Sequence, residues 1–268
     1  MAPITSIRKL LPALAAAGEL ACQYYRHSEL LGAQFKADHT VVTAADKAVE
    51  ALLRQAIADC FPDANVLGEE GEARYNPHRP YTFTIDPIDG TAAFVSGTPG
   101  WAICVGMLDH TLQPVAGIVS APCWDSLFLA DVDPHSPAMH NGLPLPVAQA
   151  PGAVPVDDNT TILIDSKLLH THQIRGFPGK CRCFGSTALH VCLVAQQTGF
   201  ALAHSCPVYV WDIAAAHAIA RRVGLTVQYL DSRPLVYEAL LPAQRTPAHV
   251  VAGHPAMLAA ICPMIVAL

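Results

Sequence analysis

The stretch Asp86-Pro87-Ile88-Asp89-Gly90-Thr91 constrains this chain more than any other. Before it, Tyr81-Thr82-Phe83-Thr84-Ile85 alternates apolar and polar side chains and is rich in aromatic and β-branched residues, the pattern of a strand. After it, Thr91-Ala92-Ala93-Phe94 reads as the first turn of a helix. Two carboxylates three residues apart thus sit where a strand ends, and a Gly-Thr pair opens a helix. Pro87 fixes one backbone angle and removes a donor. Gly90 lets the backbone come close to a ligand. The open N–H groups of a helix start attract anions. Carboxylates for a metal beside N–H groups for a phosphate are what phosphate-ester chemistry requires. The same residues also fit an Asp-rich turn with an N-cap, because Asp-Pro and Asp-Gly mark ordinary turns.

The bulk of the chain narrows the setting. Its 268 residues suffice for one large or two small domains. A hydrophobic share of 52% and a charged share of 14% point to a large core and away from disorder. A net charge of −6 and the lack of a Lys/Arg cluster argue against a nucleic-acid surface. An acidic protein that handles phosphate needs cations, which agrees with a metal site. The nine cysteines are odd in number and scattered, so they read as reduced core thiols of a cytoplasmic protein. His170-Thr171-His172 reads as a pair of surface or loop histidines, since no third ligand stands near in sequence. Near the start, Arg8-Lys9 and the apolar residues 10–17 fit a short signal peptide. They fit better an amphipathic helix with Ile7, Leu10, Leu11, Leu14, Ala17 and Ala21 on one face. The apolar tail, residues 256–268, is too short to span a bilayer and Pro263 interrupts it, so no membrane partner is expected.

Along the chain the spacing predicts helices over residues 5–27 and 43–60, with a short strand at 36–42 between them. Strands are expected at 64–67, 81–85, 101–108, 113–120 and 127–130, the last three joined as an antiparallel sheet. Residues 131–137 read as a loop, and 150–159 as a subdomain boundary rich in Pro, Gly and Asp. The second half alternates: strand 161–164, helix 166–175, strand 181–184, helix 186–197, strand 200–203, helix 211–223 and strand 225–230. A last strand at 249–252 and a last helix at 255–261 complete an α/β pattern.

Three motifs stand in order: Gly68-Glu69-Glu70, the stretch from Asp86 to Thr91 with Phe94, and Trp211-Asp212-Ile213-Ala214-Ala215. Together they resemble the signature of the inositol monophosphatase superfamily of magnesium-dependent, lithium-sensitive phosphatases. Weaker matches fill the gaps at Val42-Thr43-Ala44-Ala45-Asp46, Asn141-Gly142 and Gly185-Ser186-Thr187-Ala188-Leu189. The family usually has a Gly-rich turn before its Asn-Gly, and here that turn is missing or shortened.

The resemblance implies an α/β (α+β) fold, a layered αβαβα sandwich with one antiparallel and one mixed sheet. Residues 1–150 would form a subdomain carrying most of the metal ligands, and 151–268 a second carrying Asp212 and the substrate pocket. It implies two or three Mg²⁺ ions held by Glu69, Asp86, Asp89, Asp212 and the carbonyl of Ile88. Such hard oxygen donors suit Mg²⁺ and not zinc. It further implies that Thr91 and Asp46 orient and deprotonate the attacking water, with Glu69 assisting. Asp46 also fits a helix cap, three residues after Thr43. Gly90 and Thr91 would hold the phosphate, with Gly185, Ser186, Thr187, Asp89 and Asp212 about the substrate.

The implied activity is hydrolysis of a small phosphorylated metabolite such as inositol-1-phosphate, in a homodimer. Histidinol-phosphate phosphatase and 3′(2′),5′-bisphosphate nucleotidase are the alternative branches. A catalytically silent scaffold of the same fold is the alternative outside enzymes. Seven positions before Asp212, where inositol phosphatases usually carry an acid for a ring hydroxyl, this chain has Ser205.

Overall fold

The structure, a computed structural model, describes residues 5–27, 32, 34–35, 41–71, 74–148 and 156–268. Helix α1 (Leu11–Arg26) buries Leu14, Ala17 and Ala21, the face expected from their spacing. Strands β1 (Gln34–Phe35) and β2 (Val41–Val42) form a short antiparallel pair. The remainder of the strand expected at 36–42 lies outside the described residues. Helix α2 (Ala44–Cys60) begins at Thr43 and buries Val49, Leu53 and Ile57.

A seven-stranded sheet follows in chain order: β3 (Asn65–Gly68), β4 (Tyr81–Asp89), β5 (Ala102–Asp109), β6 (Pro114–Ala121), β7 (Ser126–Ala130), β8 (Met139–His140) and β9 (Leu143–Pro144). Helix α3 (Thr91–Val95) is a single turn between β4 and β5. The β3–β4 pair is parallel and every other pair is antiparallel. Asn141 and Gly142 join β8 to β9 with φ of 48° and 79°, the left-handed pair that a two-residue hairpin turn demands.

The second half adds β10 (Thr161–Leu163), β11 (His172–Ile174), β12 (Lys180–Arg182), α4 (Thr187–Ala195), β13 (Phe200–Ser205), α5 (Val210–Arg222), β14 (Thr226–Tyr229), β15 (Val250–Gly253), α6 (Pro255–Ile261) and β16 (Ile265–Ala267). Five of these strands form a mixed sheet in the order β12-β10-β13-β15-β14. Strand β10 is parallel to both its neighbours, and β15 is antiparallel to both of its own.

Alternation along the strands shows how the layers stack. Phe83, Ile85, Ile103 and Val105 join α1 and α2 in one core, while Ala102 and Cys104 face the other way, toward α4 and α5. Leu163, Ala203 and Ala252 of the mixed sheet close on the same two helices. On the far side, Ile162, Leu202 and Val251 pack on Met257, Leu258 and Ile261 of α6. The result is α1/α2, sheet, α4/α5, sheet, α6. Helix α4 is enclosed by both sheets, and its residues from Ala188 to Ala195 are all buried. Helix α5 lies tight on the large sheet because Gly106 and Gly117 present no side chain there. A Cβ on Gly106 would stand 2.8 Å from Ala215 N, and one on Gly117 2.2 Å from Ala215 O.

Two expected elements need correction. The helix expected over 166–175 is absent: a 3₁₀ turn at Leu168–His170 leads into strand β11. The helix expected at 255–261 is present as α6, but the strand before it is not the last: β16 follows and pairs with β11, Ile174 against Ile265. The physical reason is shared. The partner of each strand lies about ninety residues away, so neither carries a local signal. Of the cysteines expected in the core, only Cys104, Cys192 and Cys262 are buried, whereas Cys123, Cys181 and Cys183 are exposed.

Candidate active site

Strand β4 does not stop at Ile85 but runs to Asp89, and its irregularity there builds the site. Asp86 pairs with Cys104 and Asp89 with Ala102, so three steps on β4 match two on β5. Side chains three apart on a regular strand face opposite ways. The extra residue of a bulge turns Asp86 and Asp89 to the same face, the one covered by α4 and α5. Asp86 Oδ1 accepts the Ile88 N–H at 3.1 Å, which holds the bulge. Gly90 follows with φ 90°, so the chain reverses into α3, and Thr91 Oγ1 donates to Ile88 O at 3.0 Å.

Asp89 lies in a cradle at the start of α4. Its Oδ2 accepts the Ser186 hydroxyl at 2.6 Å and the Ala188 N–H at 2.7 Å, and its Oδ1 accepts the Thr187 N–H at 3.2 Å. Ser186 Oγ in turn accepts the Leu189 N–H at 2.9 Å as the helix cap. A carboxylate at a helix start is favoured by the open N–H groups. Backbone meets backbone around this cradle. The Ser186 N–H donates to Gly100 O at 2.8 Å. A Cβ on Gly100 would lie 1.6 Å from Phe184 O, and one on Gly185, at φ 125°, 2.5 Å from Gly100 O. Tyr25 steadies this loop, donating to Gly97 O at 2.7 Å and packing on Phe94 and Trp101.

Helix α5 supplies the acid from the other half. Asp212 stands in its first turn, and its Oδ2 accepts the Tyr209 N–H at 2.8 Å. Trp211 is buried and stacks on Tyr209. Asp86, Asp89, Asp212 and Glu69 share one electrostatic field. Asp86 is pushed well above the usual carboxylate range, first by burial and then by the charges of Glu69, Asp89 and Asp212; a hydrogen bond with Asp212 adds to the effect. Asp89 is pushed up to about 7 by burial and by Asp212, against the pull of its Ser186, Ala188 and Thr187 donors. Glu69 leaves β3 with its N–H on Ile85 O at 3.2 Å.

Asp46 is fully buried in the capping box of α2. Its Oδ2 accepts the Thr43 N–H at 2.7 Å and the Thr43 hydroxyl at 2.6 Å. Its Oδ1 is buried with no hydrogen-bond partner among the described residues. Burial pushes Asp46 up to about 6 against the Thr43 bonds, and the charge of Glu70 adds to that.

The structure thus brings Glu69, Asp86, Asp89 and Asp212 together, with Ile88, Gly90 and Thr91 on the turn between two of them. It sets Ser186 and Thr187 on Asp89, and Ser186 is wholly buried. Hydrogen bonds place Asp46 with Thr43, and Thr91 with Ile88. Sequence reasoning missed His190, whose Nε2 accepts the Phe184 N–H at 2.9 Å and so secures the Gly185 turn. Burial drives His190 down to about 4, which keeps that nitrogen free to accept. Its one signal was its position, four residues after the Ser186 cap. Gly100 was missed as well, because Thr98-Pro99-Gly100 reads as an ordinary turn.

Among the described residues no three acids, histidines or cysteines form a ready-made metal cage. The donor set nevertheless fits Mg²⁺. It is all hard oxygen, and buried carboxylates that raise one another need a cation to ionise together.

Comparison with known proteins agrees with this architecture. The pattern of the inositol monophosphatase family matches residues 4–262, and the chain belongs to that family of phosphatases. The 3′(2′),5′-bisphosphate nucleotidase CysQ of Escherichia coli is 27% identical over 82% of this chain and 89% of its own. A histidinol-phosphatase of Mycobacterium tuberculosis is 32% identical over 73% of this chain and 76% of its own. The crystal structure of extragenic suppressor protein SuhB from Bartonella henselae superposes with a TM-score of 0.80 at 20% identity, covering 96% of this chain and 97% of that one. No described helix is long and apolar enough to cross a membrane.

Proposed function

We propose that the protein is a Mg²⁺-dependent phosphomonoesterase that hydrolyses a small phosphorylated metabolite. The observation that carries this reading is the convergence of buried Asp86 and Asp89 with Asp212, from the far half of the chain, whose charge helps to raise both of them. Glu69, Asp86, Asp89, Asp212 and the carbonyl of Ile88 would hold the metal. Bound Mg²⁺ would lower the pKa of the attacking water and offset charge on the leaving oxygen.

The remaining work falls to the chain itself. Thr91 and Asp46 orient the water, and Asp46 Oδ1, buried and without a hydrogen-bond partner among the described residues, takes its proton. A carboxylate raised to about 6 is a better base near neutrality than an ordinary one. The N–H groups of Gly90 and Thr91 hold phosphate oxygens as charge builds. Gly185, Ser186 and Thr187 shape the substrate side through the Asp89 cradle. A homodimer in the cytoplasm is the setting that the family resemblance implies.

Inositol-1-phosphate is the substrate that the resemblance gives first. One observation favours the other branches. Ser205, where a polyol phosphatase would carry an acid, is 2% exposed and paired in β13 against Val250, so no carboxylate reaches a ring hydroxyl from there. Relatives named as a bisphosphate nucleotidase and a histidinol-phosphatase put adenosine 3′,5′-bisphosphate and histidinol phosphate beside inositol-1-phosphate in the test. Phosphate release from these three, with Mg²⁺ and with EDTA, tests the reading. Mg²⁺-dependent turnover of one names the branch. No Mg²⁺ binding and no turnover of any would replace the enzyme with a silent scaffold.

A further inference from the structure

Residues 68–71, Gly-Glu-Glu-Gly, carry the acid that reaches Asp86, yet glycines at both ends leave the backbone loose by composition. Something must order them. Glu50, on α2, is 2% exposed. Its Oε2 accepts the Glu70 N–H at 2.7 Å, and its Oε1 accepts Arg54 Nε at 2.6 Å. Arg54 Nη1 donates to Val66 O at 3.1 Å. The two glycines fit this pair closely. A Cβ on Gly68 would lie 2.4 Å from Glu50 Oε1, and one on Gly71 2.4 Å from Arg54 Nη2. Glu69 is therefore bracketed: its own N–H is on β4, the next N–H is on Glu50, and the carbonyl three residues earlier is on Arg54.

We infer that Glu50 is a positioning residue for the metal-binding acids. With Arg54 it clamps residues 68–71 so that Glu69 stays beside Asp86. The inference rests on the Mg²⁺-dependent reading above. Glu50 is not among the charges that dominate Asp86, so it acts through the loop and not as a ligand. Stability alone accounts poorly for the clamp, because a carboxylate as buried as Glu50, even when paired with the partly exposed Arg54, is often no more stabilising than an apolar residue of the same volume. Fixing a ligand from behind does account for it. Such supports change metal affinity or activity by about 10- to 100-fold when removed.

The test is Mg²⁺ titration by calorimetry together with hydrogen exchange at the Glu70 amide, on the full chain. Glu50→Ala is expected to weaken Mg²⁺ binding by about 10- to 100-fold and to deprotect the Glu70 amide. Glu50→Gln, which keeps an acceptor for that N–H, retains most of the affinity. Leu53→Ala, a fully buried change on the same helix, lowers stability but keeps the affinity. If Glu50→Ala does not fold, Gly68→Ala displaces the same carboxylate from the other side and carries the same expectation. Wild-type affinity in Glu50→Ala or Gly68→Ala overturns the inference, as does an equal loss in Leu53→Ala. A wild-type chain that binds no Mg²⁺ ends the metal reading instead. Exchange then decides the clamp alone, and a Glu70 amide still protected in Glu50→Ala rules it out.

Discussion

Ser186→Ala should damage the site through Asp89. The hydroxyl makes two bonds, donating to Asp89 Oδ2 at 2.6 Å and accepting the Leu189 N–H at 2.9 Å. Losing a hydrogen bond to a charged acceptor costs about 1.5–3 kcal/mol. Losing a serine cap costs about 1 kcal/mol. Both groups are buried, so water does not replace the lost partner, and the expected sum is about 2.5–4 kcal/mol. For a chain of this size that lowers Tm by on the order of 5–15 °C. The assay is urea unfolding in EDTA of wild type, Ser186→Ala, Asp89→Asn and the double variant. The cycle should give a coupling of about 1.5 kcal/mol or more at pH 8. The coupling should shrink at pH 6, below the value near 7 to which Asp89 is raised, because a protonated carboxyl accepts more weakly. Ser186→Thr keeps the hydroxyl and should keep most of the coupling. A loss under about 0.5 kcal/mol, or additive single effects, would refute the cradle argument.

Other outcomes follow from the same geometry. His190 is lowered from 6.5 to about 4, so its contribution is full above pH 6.5 and is lost as pH falls toward 4, where the unfolded chain takes the proton first. That span is worth about 3 kcal/mol, and urea midpoints from pH 7 to 4 should fall less steeply in His190→Gln; parallel curves would contradict this. Gly100→Ala forces a Cβ within 1.6 Å of Phe184 O and should destabilise by more than about 3 kcal/mol, read as a collapsed melting transition. Asp46→Asn removes the proposed base and should lower kcat by about 10²–10⁴-fold with KM little changed. Mg²⁺ at a hundred times its dissociation constant should stabilise wild type by about 2.7 kcal/mol in thermal melts, and Asp89→Asn by much less.

Much of this molecule was legible before its structure. The strand-turn-helix reading at Asp86 stands because alternation, Gly90 and Thr91 are local signals, and those local rules agree with the fold. Five of the seven strands of the large sheet were equally plain from period-two runs, whereas the two-residue β8 and β9 are too short to carry a period. What stayed hidden were relations between distant residues. Period two alone would send Asp86 and Asp89 to opposite faces, and only the pairing with Ala102 and Cys104 shows the bulge. The β11–β16 pair has partners at opposite ends of the second half, so Thr171-His172-Gln173 passed for helix. Ser186 read as a pocket residue, yet it spends both of its bonds on Asp89 and its own helix. Glu50 and Arg54 drew no reading from the sequence, because nothing local tells that residues 66–71 come back onto α2.

The central claim is that acids from both halves of the chain act as one Mg²⁺-dependent hydrolytic centre. Phosphate release by wild type and Asp212→Asn, with Mg²⁺ and with EDTA, tests it most directly. The account predicts turnover by wild type that EDTA abolishes and that Asp212→Asn, still folded, lowers by about 10²-fold or more. Turnover that survives EDTA, or an Asp212→Asn variant as active as wild type, would contradict it.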